Sequence, residues 1–169
     1  GKKLPAAYSL VEHADSLAKT PLFLKVENIW HNTFEKAKKF MLTKNDGATT
    51  KMMLQDFNNV PAKMPLIQTL VNDPDVFKNL LIALQKKDFK ALLSLISQHS
   101  YLKETAEYQK AMELAEEVFE NAKQKLQEKD FATVHTYAEL ILNVPHLHDK
   151  AEVLNSYAIN AQKFMQAYE

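Results

Sequence analysis
Cysteine is absent from the 169 residues, which removes disulfide frameworks, thiolate metal sites and a cysteine nucleophile together. Arginine is absent too: the 21 basic residues are all lysine, and 21 acidic residues bring the net charge to zero. Nucleic-acid binders concentrate positive charge and use the bidentate guanidinium fork, so no nucleic-acid partner is expected. Glycine occurs only at Gly1 and Gly47, too sparsely for a phosphate-cradling loop or for the many tight turns of a β-rich chain. No Gly-x-Ser-x-Gly elbow is present to seat a nucleophile, and paired carboxylates such as Glu116-Glu117 lie among lysines that pair with them along a helix. The expectation is therefore a protein that is not an enzyme and needs no cofactor. No apolar run reaches ~18 residues and no signal-peptide pattern opens the chain, so no membrane insertion is expected of this segment. These absences leave the compartment open, with the cytoplasm slightly favoured, and leave the oligomeric state unset. Gly1 in place of an initiating methionine suggests a piece of a longer protein.

What is present is 46% hydrophobic and 25% charged residues, the balance of a chain that buries a core without staples. Apolar residues recur at helical spacing almost throughout. Leu10, Ala14, Leu17 and Ala18 form a first stripe, closed by the cap and first-turn proline of Thr20-Pro21. From Pro21 the stripe Leu22, Val26, Ile29, Trp30, Phe34, Ala37, Phe40 and Met41 runs to Lys44, where Asn45-Asp46-Gly47 supplies a stop. Met53, Leu54 and Phe57 mark a short helix, and Leu66, Leu70 and Val71 mark one ending at Asn72. Phe77, Leu80, Leu81 and Leu84 lead to Asp88, an N-cap for Phe89, Leu92, Leu93 and Ile96. Ser100 is expected to cap the long helix of Tyr108, Ala111, Met112, Ala115, Val118, Phe119, Ala122 and Leu126. Asp130 opens a shorter helix, Pro145 interrupts, and a last helix runs from about Asp149.

Self-alignment at an offset of 42 pairs Val76-Phe77 with Val118-Phe119, Asn79 with Asn121, Leu84-Gln85 with Leu126-Gln127 and Lys87-Asp88-Phe89 with Lys129-Asp130-Phe131. Twice that offset pairs Asp46 with Asp130 and Asn59-Val60-Pro61 with Asn143-Val144-Pro145. The organisation read from this is a single helical-repeat domain over 1–169. It has a capping helix in 1–33, units at about 34–75, 76–117 and 118–159, and a terminal capping segment 160–169. Each unit is a helix, a turn governed by an Asp cap, and a second helix whose stripe needs a neighbour to cover it.

The stretch Ala122 to Pro145 resembles a tetratricopeptide-type repeat, with a small residue in its first helix, Asp-Phe opening the second and a proline after it. The departures are Leu80 for the small residue of the middle unit, Leu92 and Val134 where that family favours alanine, and a period longer than about 34 residues. The resemblance implies an all-α, right-handed stack of antiparallel hairpins, with seven to nine helices and a concave face that holds a peptide or helix of a protein partner. A scaffolding or adaptor role follows from it. The competing reading is a sensory or regulatory domain of a larger signalling or membrane protein that binds a small ligand between helices.

Candidate contact residues for a partner are Asn79 and Asn121, whose amides both donate and accept hydrogen bonds, together with Lys86 and Lys123 of a lysine strip at the ends of the first helices. The strip also meets the need for positive charge at helix C-termini. His146, His148 and Asp149 are three possible ligands within four residues, yet their spacing fits no helical metal motif. A polar loop and a helix start account for them, so no metal is expected.

Overall fold
The computed structural model describes residues 3–13 and 20–168, and among these the regular structure is helical, without a strand. In order come α1 (Lys3–His13), α2 (Pro21–Lys44), α3 (Gly47–Met53), α4 (Met64–Asn72), α5 (Asp75–Gln85), α6 (Phe89–Gln98), α7 (Ala106–Gln127), α8 (Phe131–Ile141) and α9 (His148–Ala167), with 3-10 turns at Gln55–Phe57 and Ser100–Glu104. The all-α class and the number of helices among the described residues agree with the sequence reading. The chain divides into two compact units, Gly1–Lys78 and Asn79–Glu169, with the division inside α5.

The backbone itself has a 42-residue period. Among the described residues φ is positive only at Asn45, Lys87 and Lys129, at 51°, 52° and 61°. Each precedes an aspartate that caps the next helix: Asp46, Asp88 and Asp130 accept from the N–H of Thr49, Ala91 and Thr133 at 3.0, 3.0 and 3.2 Å. At the later two reversals the helix closes as a Schellman motif, with Asp88 N–H donating to Ala83 O and Asp130 N–H to Lys125 O. The expected stop at Asn45-Asp46-Gly47 is made by Asn45, whose N–H donates to Met41 O, and Gly47 begins α3.

A second set of turns keeps the same period. Val60, Leu102 and Val144 donate their N–H to Phe57, His99 and Ile141, and Lys63, Thr105 and Leu147 donate theirs to Val60, Leu102 and Val144. Val60, Leu102 and Val144 are fully buried. Lys63, Thr105 and Leu147 stand immediately before α4, α7 and α9. The cap expected of Ser100 is thus made by Thr105, which accepts from Tyr108 N–H at 3.2 Å and donates to Leu102 O at 2.6 Å. Ser100 instead opens a 3-10 turn. α4 and α5 together occupy the positions 42 before α7; Asp73-Pro74 splits into two what is one 22-residue helix a period later, because proline offers no N–H to the ladder.

In the first unit α2 packs on α3 and α4, and α1 meets the 3-10 turn at Gln55–Phe57. The core is a chain of rings: Trp30 stacks on Phe34 at 4.9 Å and meets Phe57 edge-on at 5.0 Å, and Phe34 meets Phe77 at 5.7 Å. Ile29, expected on that face, is 45% exposed, and Leu10 of the first stripe is also exposed. Ala14, Leu17 and Ala18 lie outside the described residues. Thr20 accepts from Phe23 N–H at 3.3 Å and so caps α2.

In the second unit α8 lies against both α7 and α9, which also touch each other. Small side chains make that approach possible: Ala111, Ala115, Ala122, Ala138 and Ala151 are fully buried beside Val134 and Ile141. No described helix is long and apolar enough to cross a membrane.

Candidate functional site
The second unit carries a shallow groove between α6, α7 and the loop joining α8 to α9. One depression of about 550 Å³ is lined by Leu93, Ile96, Ser97, Ser100, Lys103, Tyr108, Met112, Asn143, Pro145 and His146. A second, of about 530 Å³, shares Lys103, Tyr108, Met112 and His146 and continues along α7 past Gln109, Glu113 and Glu116. Local chemistry fixes each wall. The cap at Thr105 sets the first turn of α7 and with it Tyr108 and Met112. The loop wall is held by burial of Val144 and Leu147 and by His146, whose Nε2 lies 2.8 Å from Glu116 Oε1. The floor is apolar and the rim mixes hydroxyls, amides, one lysine and two carboxylates, a lining that accepts an apolar side chain while the rim bonds to a peptide backbone.

The first unit holds a smaller and more enclosed pocket, about 330 Å³, beside α3 and α4. Met64, Ile67 and Val71 give it an apolar wall, and Lys51, Asn58, Gln68 and Asn72 give it polar groups. The cluster of methionines noted in the sequence contributes Met64 here, whereas Met52 stands 68% exposed.

Asn79 on α5 and Asn121 on α7 are both exposed, as is Lys86 at the turn after α5. Lys123 pairs with Glu120 at 2.7 Å and lies 5.1 Å from the Phe119 ring centroid. None of these four residues lines the groove. Of the possible metal ligands, His146 turns to Glu116, and Glu152 joins His148 and Asp149 so that one ligand atom of each lies within 4.8 Å of the others. His148 Nδ1 is 2.8 Å from the Leu142 carbonyl and Nε2 is 3.3 Å from Glu152. That carbonyl first, then the charges of Glu152 and Asp149, raise its pKa. All three side chains are exposed at the start of α9, where the positive end of the helix opposes a cation. An ion-paired helix start accounts for the cluster.

Two lysines that no motif in the sequence singles out are buried. Lys38 stands where later periods have Leu80 and Ala122; it pairs with Glu35 at 2.6 Å and lies 5.6 Å from the Phe34 ring centroid. Lys63 stands where they have Thr105 and Leu147; it reaches Glu27 at 3.2 Å between the rings of Tyr8 and Trp30. Burial, then the neighbouring Glu27, pushes the Tyr8 hydroxyl far above its ordinary pKa. The 42-residue register gives the signal that would have found both: each lysine falls in a column otherwise filled by core or cap residues. The groove has no such signal, because its walls come from residues as far apart as Leu93 and His146. Compared with known proteins, the chain matches no family model, no curated protein and no solved structure.

Proposed function
We propose that this chain is a noncatalytic protein-interaction module whose second unit, a tetratricopeptide-like set of hairpins, holds an extended segment of a partner protein in the groove between α6, α7 and the α8–α9 loop. The observation that carries the reading is the groove's form: two adjoining open depressions that share Lys103, Tyr108, Met112 and His146. An open trough with an apolar floor suits a peptide, which bonds along its length, better than a small molecule, which needs most of its surface enclosed. In a scaffolding or adaptor role the exposed Asn79, Asn121, Lys86 and Lys123 would contact parts of the partner outside the groove. The test is selection from a displayed peptide library on the wild-type chain. Selected peptides bind the wild type and bind Met112→Lys at least tenfold more weakly, while Ile82→Lys, at an exposed apolar position outside the groove, leaves binding unchanged. Equal binding by both variants removes the groove from the site.

The second reading, a sensory domain with a small ligand between helices, draws support from the 330 Å³ pocket of the first unit. A metabolite that raises the melting temperature of the wild type but not of Val71→Trp, which fills that pocket, would favour it over the peptide groove.

A further inference from the structure
α9 carries an apolar stripe that the described structure leaves bare. Val153, Tyr157, Phe164 and Tyr168 are 70%, 60%, 64% and 79% exposed. At about 100° per residue these four fall on one side of the helix. The 42-residue register gives the stripe a meaning. Its positions correspond to Ala111, Ala115, Ala122 and Leu126 of α7, and the three alanines there are fully buried. The column that is covered in α7 is uncovered in α9, with its small side chains replaced by large ones. Between Val153 and Tyr168 the only charged residue is Lys163, which by helical geometry projects about 80° from Val153, the nearest residue of the stripe. The nearest polar group is uncharged: Asn160 lies about 20° from the stripe, midway along it, and is exposed.

We infer that the occupant of this stripe is a second copy of the chain, its α9 lying antiparallel across the first. Three properties select it. The intervals 4, 7 and 4 read the same in either direction, so a two-fold axis between Asn160 and Ala161 sets Val153 against Tyr168 and Tyr157 against Phe164. Asn160, beside that axis, is its own complement, because an amide both donates and accepts, and no like charges face each other across the axis. Three aromatic side chains and a valine, each more than half exposed, offer roughly 500 Å² per copy, so the pair buries about 1,000 Å². That area lies just under the range of stable interfaces, in the class of weak, reversible ones, so dissociation is expected in the micromolar range or above. The inference rests on α9 alone and is independent of the groove.

Sedimentation equilibrium of the full chain from about 5 to 500 μM tests it. The expected result is a weight-average mass rising from 19.4 kDa toward twice that value. Tyr157→Lys and Phe164→Glu each weaken association at least tenfold while leaving the helical circular dichroism unchanged, since both side chains are exposed. An equimolar mixture of the two variants regains association, because the antiparallel register brings the introduced charges opposite one another and keeps one native aromatic pair. A chain that stays monomeric, one that grows beyond dimers, a dimer indifferent to both substitutions, or a mixture that fails to associate each overturns the proposal.

Discussion
The Lys63 ammonium and the Glu27 carboxylate, 36 residues apart in sequence, meet at 3.2 Å with the Tyr8 and Trp30 ring centroids 5.2 and 5.3 Å from the nitrogen. The two partners are unequally placed: the lysine side chain is 8% exposed and the glutamate 32%. Removing either one therefore has different consequences. Glu27→Ala strands a buried cation and should cost about 2 kcal/mol in urea unfolding, less than a fully buried pair because Glu27 is partly wet. Lys63→Leu leaves a carboxylate that can turn to water and installs the residue type that Leu147 has a period later, so its cost should stay under about 1 kcal/mol. Equal costs, or a larger cost for Lys63→Leu, would contradict this account.

Lys87 and Lys129 occupy the left-handed region, where a Cβ crowds the following carbonyl. Lys87→Gly and Lys129→Gly should each raise stability by roughly 1 kcal/mol at 25 °C, read from the denaturant midpoint. The control is Lys78→Gly, inside α5, which should lower stability by about 1 kcal/mol.

Asp46 and Asp130 have pKa values pulled below the ordinary carboxylate range, first by the hydroxyls and then by the N–H groups of Thr49 and Thr133. A carboxylate that binds its proton less readily in the folded chain than in the unfolded one stabilises the fold above the unfolded pKa, and loses that contribution as pH falls through the folded value. Unfolding midpoints should accordingly drop on acidification below about pH 4. Asp130→Asn keeps the cap acceptor without the titration, and should flatten that acid limb. An acid limb unchanged in the variant would remove Asp130 from it.

His148 runs the other way. Its raised pKa means that its contribution is complete below the ordinary imidazole value of about 6.5 and fades as pH rises through the folded value. NMR titration of its ring should give a midpoint above that of a free imidazole. Glu152→Gln should lower the midpoint, leaving the shift due to the Leu142 carbonyl.

Ala138 is fully buried where α8 faces its two neighbours. Ala138→Leu should destabilise by about 1–3 kcal/mol through overpacking, measured by thermal or urea unfolding. Ala132→Leu, on the exposed side of the same helix, should change stability little.

Much of this fold is legible because its boundaries are local chemistry. Thr20-Pro21 and the apolar period give α2 its observed span to Lys44, and Asp88 and Asp130 mark the starts of α6 and α8 because a carboxylate one residue before a helix binds the free N–H groups of its first turn. The stop at Asn45-Asp46-Gly47 is where the sequence places it, and within that triplet the left-handed residue is Asn45, which adopts that conformation at small expense. Ser100 and Thr105 are chemically equivalent caps, and the 3-10 turn at Ser100–Glu104, which buries Leu102, leaves the cap to Thr105. The burial of Lys38 and Lys63 has no local signature, because it depends on partners such as Glu35 and Glu27, and the Lys63 partner is brought in only by the fold. The groove is illegible for the same reason, its walls being assembled from distant parts of the chain.

A chain with two glycines makes the three left-handed reversals among its described residues with asparagine and lysine. A glycine in those places would carry its cost as chain disorder surrendered on folding, a quantity that grows with absolute temperature. The lysine and asparagine turns carry theirs as steric repulsion inside the finished molecule, which heating hardly changes. The gain from putting glycine at Lys87 or Lys129 should therefore shrink as the solution warms, and the present turns lose least in the heat.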